Sequence, residues 1–98
     1  MILVNVLKNK IEISGHAMYD DYGKDIVCSS VSSIVTTTIN GIISIDEDAI
    51  YYEVKEDKMV IEIKKDDLVT EKLISNMIEL LTKLSNDYPK NIKIKEGV

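Results

Sequence analysis

Between Ile26 and Ile43 the residue types and their spacing point in opposite directions, and the choice between them decides what this chain can fold into. Val, Ile, Thr and Ser dominate the segment, a composition that suits a half-buried strand. Yet Val27, Val31, Ile34, Val35, Thr38, Ile39 and Ile42 recur at intervals of three and four, which places them on one stripe of a helix. A strand spanning the whole segment would far exceed the usual length of roughly 5–6 residues. The spacing therefore predicts a helix over residues 26–43, with Asp25 as its N-cap and Asn40-Gly41 as its stop.

The remaining pattern falls into place around that helix. Residues 1–7 read as a strand, Lys8-Asn9-Lys10 as a turn, and Ile11 to Ser14 as a second strand with Ile11 and Ile13 on one face. A long connection, Gly15 to Lys24, follows; connections of this length in small domains tend to be functional or mobile. Ile50 to Val54 and Met59 to Ile63 alternate around the turn Lys55-Glu56-Asp57-Lys58. Leu73, Ile74, Met77, Ile78, Leu81 and Leu84 mark a second helix from about Asp67 to Asp87, capped by Asp66 or Asp67 and ended by Tyr88-Pro89. A last strand runs from Asn91 to Lys95. The order ββαββαβ predicts a single α+β domain, residues 1–98, in which a small mixed or antiparallel sheet packs with two helices.

Charge and composition narrow the function classes. The net charge is −5, with 12 basic against 17 acidic residues, which argues against a domain that binds nucleic acid through phosphate contacts and favours a basic partner. One Cys forms no intrachain disulfide. The apolar start, Met1 to Leu7, is shorter than a signal peptide and has no basic leader, and no uninterrupted apolar run approaches the ~20 residues of a membrane span. The expectation is a reduced, soluble, cytoplasmic domain without membrane contact.

His16 and Cys28 are the only residues of their kinds. His16 follows a Gly at a strand end, and Cys28 falls in the first turn of the predicted helix. A helix N-terminus carries partial positive charge and outward N–H groups. Both favour a thiolate there, and the N–H groups suit the oxyanion of a tetrahedral intermediate. A His within reach would take the thiol proton and return it to the leaving amine. Against this stands the plain alternative of an inert core cysteine and an incidental histidine. Asp20, Asp21 and Asp25 lie near the pair in sequence, but one Cys and one His do not make a zinc pattern, and no metal site is expected. Asp46, Glu47 and Asp48 read as a solvated loop. Ser29, Ser30, Ser32 and Ser33 lack a nucleophile elbow; Ser32, one turn beyond Cys28, is placed to hydrogen-bond near the site.

Gly15-His16-Ala17, a short loop to Gly23, and then Asp25-Ile26-Val27-Cys28-Ser29-Ser30-Val31-Ser32 resemble the ribosomal-processing cysteine protease family, Prp. The resemblance extends over most of the chain and departs from the commonest pattern at Ser29 and Ser30, where two Ala are usual. It implies Cys28 as nucleophile and His16 as general base, Asp25 as a supporting residue, and Gly15 and Gly23 flanking a mobile substrate loop; Ser32, from its place on the helix, is added as a further supporting residue. It also implies a homodimer that hydrolyses a peptide bond through an acyl-enzyme, without cofactor. The implied substrate is the N-terminal extension of a basic protein of the large ribosomal subunit, number twenty-seven. The alternative from another class is a noncatalytic ribosome-associated assembly factor that only binds such a partner; a binder needs no His–Cys pair. A redox sensor using Cys28 alone would leave His16 without a role and has no resolving Cys in the chain.

Overall fold

The computed structural model describes residues 1–21 and 25–97. In it the chain forms β1 (Ile2–Leu7), β2 (Lys10–Ser14), α1 (Ile26–Ile45), β3 (Ile50–Lys55), β4 (Lys58–Ile63), α2 (Leu68–Asp87) and β5 (Ile92–Glu96). This is the predicted ββαββαβ order of an α+β fold. The five strands make one mixed sheet in the order β3-β4-β2-β1-β5, with β5 parallel to β1 and all other neighbours antiparallel.

Register turns the alternation of each strand into two unlike faces. Val4 lies opposite Ile13, Ile11 opposite both Val6 and Ile61, and Ile2 opposite Ile92, so one face is aliphatic across β4, β2, β1 and β5. Ile2, Val4, Ile11, Ile61 and Ile92 are buried there in one cluster with Val27, Val31, Val35, Ile39 and Ile42 of α1 and Ile74, Met77 and Leu81 of α2. The opposite face carries Glu12 between Lys10 and Lys58, at 3.6 and 3.3 Å, and Glu62 beside Lys64. Lys58 above all holds the Glu12 carboxyl below its ordinary pKa.

In α1, spacing prevails over residue type. Its buried residues are the predicted stripe, while Ser29, Ser32, Ser33, Thr36, Thr37 and Asn40 face outward. Hydroxyls that would favour other conformations are turned back onto the helix: Ser30 donates to the Ile26 carbonyl and Thr38 to that of Ile34. One expectation needs correction here. Asn40-Gly41 does not stop α1, which continues to Ile45 and ends at Asp46, whose N–H donates to the Ile42 carbonyl. A helical Gly costs about 1 kcal/mol, less than the roughly 1.5–3 kcal/mol gained by burying an Ile such as Ile42 one residue later. By length and composition α1 is also apolar enough to cross a membrane, because its polar positions are uncharged Ser, Thr and Asn.

Of the two candidate caps, Asp67 starts the second helix, its carboxylate accepting from the Thr70 N–H at 2.8 Å, and the helix ends at Tyr88. Its stripe places neighbours of one type in opposite environments, with Leu81 fully buried and Leu80 39 % exposed. Leu81→Ala is expected to cost about 2–5 kcal/mol, and Leu80→Ala less than about 1 kcal/mol, in denaturant unfolding. Similar losses at both positions would contradict this packing.

Candidate active site

The site is assembled where β2 ends and α1 begins. Ser14 closes β2, and Gly15 turns the chain with φ 85°, a conformation that L side chains rarely adopt. Space enforces the same choice, because a Cβ at Gly15 would collide with the Met1 carbonyl oxygen. The Gly15 N–H is tied to the Asp57 carbonyl in the β3–β4 turn at 3.1 Å. This turn places His16 at the surface and Ala17 in the core, with Met18, also at positive φ, 79 % exposed.

Asp25 joins this loop to the helix. One carboxylate oxygen accepts from the N–H groups of Val27 and Cys28, both at 3.0 Å, and caps α1. The other accepts from the N–H groups of Tyr19 at 3.0 Å and Asp20 at 3.4 Å. The residue is 7 % exposed. Burial pushes its carboxyl pKa up, but the N–H donors outweigh that and hold it below its ordinary value. Asp25 is thus a helix cap and a clamp on the His16 loop at once.

These constraints bring Gly15, His16, Asp25, Cys28 and Ser32 around one open cleft of about 610 Å³, with Ile2, Ile13 and Val31 as its apolar lining. Gly23 lies outside the described residues. Cys28 is partly buried, and its Sγ accepts from the Ala17 N–H at 3.4 Å. Ser32 is exposed one turn along the helix. The expectation of free N–H groups at the start of α1 is corrected: those of Val27 and Cys28 are held by Asp25, so the donor turned to the sulfur comes from the loop. Among the described residues no group of three His, Cys, Asp or Glu side chains is placed to hold a metal ion.

Three residues of this neighbourhood escaped sequence reasoning. Asn91, in the turn before β5, donates from its side chain to the Ala17 carbonyl at 2.9 Å. The rings of Tyr19 and Tyr88 meet edge to face at 5.3 Å between centroids. No sequence signal links the segment around residues 88–91 to residues 17–19, since the contacts depend on β5 lying beside β1.

Comparison with known proteins places the chain among relatives of one family. Residues 1–93 match the family model described as cysteine protease Prp. The chain is 33 % identical over 98 residues to the ribosomal processing cysteine protease Prp of Mycoplasma genitalium, covering 98 % of this chain and 96 % of that one. It is 29 % identical over 96 residues to the protein of the same name from Bacillus subtilis, covering 89 % and 84 %. The fold is that of the ribosomal processing protease Prp from S. aureus, solved with a covalently linked product peptide. The TM-score is 0.93 at 22 % identity, over 99 % of this chain and 100 % of that one.

Two outcomes test the local architecture. Gly15→Ala should lower stability by at least about 1 kcal/mol, from the positive φ alone, with the collision added. Asp25→Asn should lower the melting temperature near neutral pH by about 5 °C. Because folding depresses the Asp25 pKa, its stabilisation is complete above the ordinary carboxylate range and is lost as pH falls through the folded value. The gap between wild type and variant should therefore close on acidification, and a gap independent of pH would refute the clamp's ionic character.

Proposed function

The chain belongs to the Prp family of cysteine proteases, and on that premise we propose that it cleaves the N-terminal extension from a basic protein of the large ribosomal subunit, number twenty-seven, through Cys28 and His16. The observation that carries this reading is the single cleft that gathers His16 and Cys28, with a backbone N–H aimed at Sγ.

In the proposed reaction His16 accepts the thiol proton as Sγ attacks the scissile carbonyl carbon. The C–N bond of the tetrahedral intermediate breaks as the imidazolium returns that proton to the departing amine. Water, deprotonated by His16, then hydrolyses the thioester and frees the enzyme. Ile2, Ile13 and Val31 supply an apolar wall suited to an apolar residue beside the cut. The net charge of −5 favours encounter with a basic substrate. Action as a homodimer in the cytoplasm, without cofactor and without contact with nucleic acid, completes the proposal.

The test is mass spectrometry of the purified protein incubated with a peptide spanning the extension, beside Cys28→Ala and His16→Ala. Cleavage at one site by the wild type is expected, with loss of activity in both variants and little change in melting temperature. A fully active Cys28→Ala would sink the nucleophile assignment. Binding without cleavage by the wild type would make the protein an assembly factor instead.

A further inference from the structure

Ala17 is pinned from two sides. Its N–H donates to Cys28 Sγ at 3.4 Å, its carbonyl accepts from the Asn91 side chain at 2.9 Å, and its methyl group is buried. Asn91 is itself fixed: its N–H donates to the Tyr88 carbonyl at 2.9 Å, and its carbonyl accepts from the Ile2 N–H at 2.8 Å. The carboxamide therefore projects from a turn locked to both α2 and β1. Asp25 occupies the N–H groups of Val27 and Cys28, which leaves the Ala17 N–H as the backbone donor on Sγ among the described residues. His16 immediately precedes Ala17, so whatever holds Ala17 also sets where the imidazole leaves the backbone.

We propose that Asn91 is a positioning residue of the proteolytic site: its carboxamide, by donating to the Ala17 carbonyl, keeps the Ala17 N–H on the Cys28 sulfur and His16 beside it. Asn91 touches neither the sulfur nor a substrate and acts through Ala17. The proposal rests on the reading of Cys28 as nucleophile.

Asn91→Asp keeps the side-chain volume and sets an acceptor against the Ala17 carbonyl, while Asn91→Ala removes the contact. Two readouts respond to position rather than to overall stability. One is the rate at which iodoacetamide alkylates the single cysteine at neutral pH; the other is the split of kcat from KM on the extension peptide. In both variants alkylation should slow several-fold, and kcat should fall about tenfold with KM little changed, as expected for one lost hydrogen bond that acts on the reacting group. Circular dichroism should show a folded protein. Folded variants with wild-type alkylation and kcat would overturn the proposal, and so would loss of folding in both, which would assign Asn91 to the fold alone. Alkylation needs no substrate, so a wild type that fails to cleave the peptide sinks the dyad reading while the Asn91 comparison still reports on Ala17.

Discussion

Two carboxylate oxygens of Asp25 organise the working end of this molecule. One satisfies the first turn of α1, and the other satisfies the backbone of the segment that follows His16. A buried carboxylate is costly unless donors surround it, and here backbone N–H groups from two separate segments do so. The His16 loop and the Cys28 helix are consequently not independent pieces. A change that moves either one removes donors from the charge that holds the other.

The same carboxylate alters the electrostatics expected at a helix N-terminus. The N-terminal field of α1 favours a thiolate, but an ionised Asp25 at its cap offsets part of that field and takes up the N–H groups of Val27 and Cys28. What faces Sγ is the N–H of Ala17, delivered from outside the helix. The site is therefore drawn from three stretches of chain: the end of β2, the start of α1, and the turn between α2 and β5, whose Asn91 and Tyr88 support the loop.

Hydrophobic spacing proved the more dependable guide where it competed with residue type. Val27, Val31, Val35, Ile39 and Ile42 are buried as one stripe even though their composition suits a strand, because only a helix lets all five reach the core together. Local stop signals were less dependable. Gly41 lies inside α1, with no packed neighbour where its Cβ would be, because Ile42 beyond it gains more from burial than the glycine costs. At α2 the cap and the stop agreed with the stripe, and Asp67 and Tyr88 bound the helix as expected.

The sequence by itself determined the order of the elements, the buried face of each helix, the cap at Asp25, and the family motif that singles out His16 and Cys28. Each of these depends on residues within a few turns of one another, where periodicity and capping chemistry act directly. Only the tertiary structure decided which donors Asp25 leaves free, that Gly15 sits against Met1, and that Asn91 reaches Ala17 across 74 positions. The Gly15 contact follows from the register of β1 against β2, and the Asn91 contact from β5 entering the sheet beside β1, a pairing that buries Ile2 and Ile92 on a common face and that no local pattern announces.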